Sequence, residues 1–132
     1  MSNHSKAKFC WAGLGTLAIV FAGSTLSIST EAQTTGKHGK ELFDKRCGGC
    51  HALDRDKEGP RLGGVYGRAA GAVASFQYSG PLQKSKITWT EETLDKWLTD
   101  PEKMVPDSDM AFRVESADER REIISFLKSS GN

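Results

Sequence analysis

The sequence predicts an all-α domain with long loops, and three observations carry the prediction. No stretch alternates apolar and polar residues as a half-buried strand would. Capping residues stand ahead of segments with helical apolar spacing in the last third of the chain. Between these segments and an earlier one lies a run, residues 52–86, so rich in Gly, Pro and polar residues that it reads as neither helix nor strand.

The elements follow in order. Gly39 to Arg46 reads as a helix with Leu42 and Phe43 on its apolar side. Residues 52–86 contain Gly59-Pro60, Gly63-Gly64, Gly67, Gly71 and Gly80-Pro81. A loop of this length is unusual in a compact domain unless it wraps something. Thr90 is a good N-cap for a helix from Glu91 to about Leu98, with Glu91 and Glu92 in the turn where acidic residues are favoured. Asp100-Pro101 starts a short helix, with Asp as cap and Pro at the first helical position. Ser116 and Glu119 form a capping box for a last helix whose apolar face is Ile123, Ile124, Phe126 and Leu127, with Lys128 suited to its carboxyl end.

The first 32 of the 132 residues differ in character from the rest. Lys6 and Lys8 precede an apolar stretch from Phe9 to about Ile28, and Thr30-Glu31-Ala32 supplies small residues at a cleavage site. Residues 1–32 therefore read as a secretory signal peptide, and residues 33–132 as the working domain. The alternative is an uncleaved anchor, since a stretch near 20 residues can span a bilayer. Removing the leader takes Lys6, Lys8 and Glu31 from 18 basic and 17 acidic residues, which leaves 16 of each. A balanced domain without a basic stripe makes no case for nucleic-acid binding.

The motif that carries chemistry is Cys47-Gly48-Gly49-Cys50-His51, the attachment pattern for a c-type haem. On a helical turn Cys47, Cys50 and His51 share a face. The two thiols can then form thioethers to the vinyl groups of one haem while the imidazole reaches its iron. A zinc site needs about four nitrogen or sulfur ligands. Cys10 and His4 lie in the leader, so only His38 would remain to help close one. A thioredoxin-like redox pair wants a βαβ setting, which residues 47–50 lack. A small domain has a marginal core, and a covalently held, largely apolar macrocycle would serve as its centre.

The match extends beyond the pentapeptide. It includes the helix Gly39 to Arg46, Gly59-Pro60-Arg61-Leu62-Gly63-Gly64-Val65-Tyr66-Gly67-Arg68, Phe76-Gln77-Tyr78-Ser79, Ile87 to Leu94, and Val105-Pro106-Asp107-Ser108-Asp109-Met110-Ala111-Phe112. In these stretches, and in their order, the chain resembles class I cytochrome c of the mitochondrial and soluble bacterial type. The resemblance implies the cytochrome c fold, about four to five short helices and long loops wrapped around one haem c held through Cys47 and Cys50. It implies His51 and Met110 as axial iron ligands, with the Pro106 to Phe112 context favouring Met110 over Met104. Pro60 matches a proline whose carbonyl orients the ligand imidazole, and Arg68, Tyr78 and Trp89 match groups around the haem propionates. Gly39 and Phe43 match positions that cross the last helix at Ile123 and Phe126.

The chain departs from the family pattern in three places. Trp97 stands where a tyrosine commonly approaches the methionine sulfur, and Leu82 falls near a common asparagine. Both changes are expected to remove polar partners from the crevice. The family's lysine ring is thinned by Glu102, Asp109, Ser116 and Ala117, while Arg46 and Lys103 stay basic. An iron with both axial positions filled has no open site for a substrate, so the expected role is single-electron transfer and not catalysis. The expected protein is a monomeric periplasmic carrier between a bc1-type donor complex and an oxidase, reductase or photosynthetic centre. The alternative is a dedicated electron-acceptor subunit of a periplasmic dehydrogenase.

Overall fold

The structure is a computed structural model that describes the backbone of residues 30–131 and side chains from residue 36 onward. Residues 1–29, most of the expected leader, lie outside the described residues. Five helices follow in order: α1 (Thr30–Arg46), α2 (Gly80–Lys84), α3 (Glu91–Thr99), α4 (Pro101–Met104) and α5 (Ala117–Ser129). Among the described residues there is no strand, only an isolated bridge between Ala69 and Thr88. The fold is the all-α, long-looped arrangement expected. None of the described helices is long and apolar enough to cross a membrane.

The caps act locally, as the sequence suggests. Thr90 and Thr93 exchange bonds at the start of α3: the Thr93 amide donates to Thr90 Oγ1 (3.3 Å) and the Thr90 amide to Thr93 Oγ1 (2.7 Å). The Lys103 amide donates to Asp100 Oδ1 (3.1 Å), which starts α4 with Pro101 at its first position. At α5 only half of the expected box forms. The Glu119 amide donates to Ser116 Oγ (3.3 Å), but the Glu119 carboxylate turns away and accepts two bonds from the Arg46 guanidinium, each 3.0 Å. A planar guanidinium satisfies both carboxylate oxygens at once, which a single backbone amide cannot do.

Two elements differ from expectation. α1 begins at Thr30 and not at Gly39, so the expected cleavage point after Ala32 falls in its first turn. α2 is a single turn within the stretch read as loop; Pro81, taken as a loop signal, stands at its first helical positions.

α1 and α5 cross at Gly39. A Cβ there would lie 2.5 Å from the Glu122 carbonyl oxygen and 2.9 Å from Phe126 Cβ, so only glycine admits this approach. One turn on, Phe43 and Phe126 stack in a tilted pair with centroids 5.4 Å apart. Leu42 and Phe43 from α1, Leu94, Trp97 and Leu98 from α3, and Ile123, Ile124 and Leu127 from α5 form one buried cluster, with Ile123 wholly shielded. Arg120 of α5 ties the parts together. It donates to Asp95 of α3 (2.6 Å) and to the carbonyls of Val114 and Glu115 (2.9 Å each).

The candidate haem crevice

α1 does not stop at Arg46 abruptly. The Cys47 amide donates to Phe43 O (2.8 Å) and the His51 amide to Cys47 O (2.8 Å), so the helical spacing carries through the motif. The cysteine thiols are free, Cys47 half-buried and Cys50 exposed. Burial, and then the neighbouring Cys50, push the Cys47 thiol up to about 11. A hydrogen bond to the Glu58 carboxylate (3.4 Å) is the main cause that raises Cys50. Thiols held protonated at neutral pH are the opposite of the thiolate that a thioredoxin-like pair needs. Among the described residues no cluster of His, Cys, Asp and Glu could hold a metal ion, which also removes the zinc reading there.

The loop after the motif folds back over His51. The Gly59 amide donates to Cys50 O (2.8 Å), and the Leu62 and Gly63 amides to Ala52 O (2.8 Å) and Leu53 O (2.9 Å). This brings the Pro60 carbonyl 2.8 Å from His51 Nδ1. A carbonyl oxygen only accepts, so Nδ1 carries the hydrogen and Nε2 keeps its lone pair free. Burial lowers the imidazole pKa, the Pro60 bond opposes this and nearby Lys57 lowers it further. The ring is neutral at pH 7, the state in which it can bind a metal. Gly59 is buried against this ring, and any Cβ there would run into it.

Next to His51 opens a cavity of about 320 Å³. The sequence-chosen residues Cys47, Cys50, His51, Pro60, Arg68, Tyr78, Trp89 and Met110 all line it. Its wall is mainly apolar, from Leu62, Val65, Leu82, Leu94, Leu98, Ile123 and Leu127. Trp89 leans on Trp97 with centroids 5.4 Å apart. Arg68 is half-buried and aimed by two bonds, to Arg61 O (2.8 Å) and Gly63 O (3.1 Å). Tyr78 Oη accepts from the Val73 amide (3.3 Å), which leaves its own hydrogen to donate.

Three features of this site are not legible in the sequence. Ser79 lines the cavity with a buried hydroxyl that has no hydrogen-bond partner among the described residues. Lys57 donates to Gly48 O (2.5 Å) and Gly49 O (2.8 Å), placing a cation on the carbonyls beyond α1. The third is a correction. Trp97 does not deprive the sulfur of a polar partner: its indole Nε1–H donates to Met110 Sδ at 3.1 Å. Leu82 does present an apolar wall, as expected.

The residues present fit a haem. An apolar slot suits the macrocycle, and the orphaned Ser79 hydroxyl, Tyr78 and Arg68 offer donors for its carboxylates. The sequence model of the cytochrome c family matches residues 36–131. The chain belongs to the cytochrome c family. Its cofactor is accordingly a covalently attached haem c, for which Cys47 and Cys50 have the spacing, and it is an electron-transfer protein. Among similar proteins, cytochrome c of Euglena viridis is 38% identical over 96 residues, covering 70% of this chain and 94% of that one. Cytochrome c2 iso-2 of Magnetospirillum molischianum is 41% identical over 86 residues, covering 63% and 89%. The solved structure of cytochrome cH from Methylobacterium extorquens superposes with a TM-score of 0.67 at 34% identity, covering 71% of this chain and 97% of that one.

Proposed function

We propose that this cytochrome is a periplasmic single-electron carrier in which His51 and Met110 are the axial ligands of a haem c joined to Cys47 and Cys50. The observation that carries the reading is the gathering of a tautomer-fixed imidazole, Nδ1 on Pro60 O at 2.8 Å, and a thioether sulfur in one apolar cavity. Haem supplies a reversible one-electron couple, and a His/Met ligand pair favours its ferrous state.

The chain's own residues do the rest. Pro60 orients His51 and keeps Nε2 free for metal. Trp97 holds Met110 by its sulfur. Leu82, Leu94, Leu98 and Ile123 give the cavity an apolar wall, and low polarity would disfavour the additional charge of ferric iron. Arg68, Tyr78 and Ser79 would supply donors to the carboxylates of a bound haem, and Trp89 lines the same cavity. With His51 and Met110 both holding the iron, no position would be open for a substrate, and the role would be electron transfer.

The partners in this reading are a bc1-type donor and an oxidase, reductase or photosynthetic centre, met by a diffusing monomer. The leader-like composition of residues 1–32 supports export. Intact mass spectrometry of the protein purified from a periplasmic fraction tests this. The expected mass is that of residues 33–132 plus one haem; a full-length chain, or one without the added haem, contradicts it. Size-exclusion chromatography of the same fraction separates a free carrier from a dehydrogenase-bound subunit, which would elute with its enzyme.

A further inference from the structure

We propose that the mouth of the crevice is an acidic-rimmed docking face for a redox protein that presents lysines and arginines around an apolar centre. This rests on the carrier reading above and names the chemistry of its partner. Six of the residues lining the cavity are exposed and so mark its mouth: Arg46, Cys50, Glu58, Asp109, Ala111 and Phe112. Phe112 is 45% exposed, the one large apolar side chain left open to water among the described residues. It supplies the apolar centre that a protein interface buries inside a polar rim.

The sign of the rim follows from which charges already have partners. Arg46, its one exposed cation, is held by both oxygens of Glu119. Arg113, next to Phe112 in the chain, pairs with Asp100 at 2.8 Å. Lys57 is turned onto the Gly48 and Gly49 carbonyls, at the negative end of α1. Arg68 is half-buried and held by two carbonyls, and Lys45 and Lys103 line no part of the cavity. Glu58 and Asp109, by contrast, have no ion-pair partner among the described residues. Glu58 accepts from the Cys50 thiol at 3.4 Å. A cysteine joined to haem as a thioether has lost that hydrogen, so attachment frees the Glu58 carboxylate. Two unpaired carboxylates then flank the opening, with exposed Asp107 two residues from Asp109. Opposite charges steer encounter and like charges reject it, so the surface that fits this rim is basic.

The test compares the intact holoprotein with a rim variant, Glu58→Gln with Asp109→Asn. The control, Glu92→Gln with Asp118→Asn, changes net charge equally at exposed residues that line no part of the cavity. Hexaamminechromium(III), a redox-inert paramagnetic cation, should first broaden the amide NMR signals of Glu58 and Asp109, and should lose that preference in the rim variant alone. Stopped-flow mixing of the ferrous protein reads two oxidants. Tris(phenanthroline)cobalt(III) takes one electron to become cobalt(II), and ferricyanide takes one to become ferrocyanide. The rate with the cobalt cation should fall about tenfold between about 0.01 M and about 0.5 M salt, while the rate with the anion rises. At low salt the rim variant should slow the cation about threefold and speed the anion, and the control should do neither. A change of potential moves both rates the same way, so opposite movements report the rim charge. Broadening that is unchanged in the rim variant, or a cation rate that ignores salt or rises with it, overturns the proposal, while oxidation by both reagents leaves the carrier reading standing. A ferrous protein that neither reagent oxidises overturns the carrier reading and this proposal with it.

Discussion

Gly39→Ala tests the helix crossing on which the crevice rests. The added methyl would stand 2.5 Å from the Glu122 carbonyl oxygen and 2.9 Å from Phe126 Cβ. The first neighbour is backbone, so relief requires α1 and α5 to part by several tenths of an ångström over their contact. Overpacking of this kind costs about 1–3 kcal/mol, and a backbone obstacle places it at the upper end. Replacing glycine with alanine inside a helix returns about 1 kcal/mol. The net expectation is a loss of about 2 kcal/mol. Gly36→Ala is the matched control in the same helix, because a Cβ there meets nothing within 4 Å. It should gain about 0.5–1 kcal/mol. Guanidinium unfolding of both holoproteins, followed by circular dichroism, reads the difference. If Gly39→Ala is neutral or stabilising like its control, the close approach is not what holds α1 on α5.

Further predictions concern charge and the crevice. The Arg46 guanidinium holds the Glu119 carboxyl below its ordinary range, chiefly through their hydrogen bonds. A depressed folded pKa contributes stability that is present above the unfolded carboxyl pKa and is lost as pH falls through the folded one. Acid unfolding curves of Glu119→Gln should therefore lie beneath wild type at neutral pH and converge with it only as pH falls through the depressed folded pKa of Glu119; a constant offset at all pH values would contradict the pairing. Ser79→Ala should remove one hydrogen-bond donor that the crevice offers a propionate and so shift the reduction potential while leaving the methionine–iron band in place, read by spectroelectrochemistry. An unchanged potential would mean that the orphaned hydroxyl faces no cofactor oxygen.

What the sequence makes legible is what is decided locally. The starts of α3 and α4 rest on Thr90 and Asp100, whose side chains reach amides three residues on, and both are read correctly from the chain. The CxxCH motif with Pro60 is likewise short-range, because nine residues of loop bring a carbonyl to an imidazole. What is not legible depends on distant partners. Glu119 abandons its own helix start for Arg46, 73 positions away, and no local rule announces that. α2 is one turn of five residues without a buried side chain, so no apolar period marks it. Trp97 differs from an expected tyrosine in the sequence, yet whether its donor reaches Met110 depends on how α3 faces a loop 13 residues on. Ser79 gains meaning only once its hydroxyl is seen buried without a partner.

The central claim is that His51 and Met110 together close the iron and make this cytochrome a carrier of single electrons. The far-red absorption of the ferric holoprotein tests it most directly, with Met110→Ala as the control. The account predicts the weak methionine–iron band in the wild type, its loss in Met110→Ala together with a lower potential, and no binding of carbon monoxide by the reduced wild type. A wild type without the band, or one that takes up carbon monoxide readily when reduced, would contradict it.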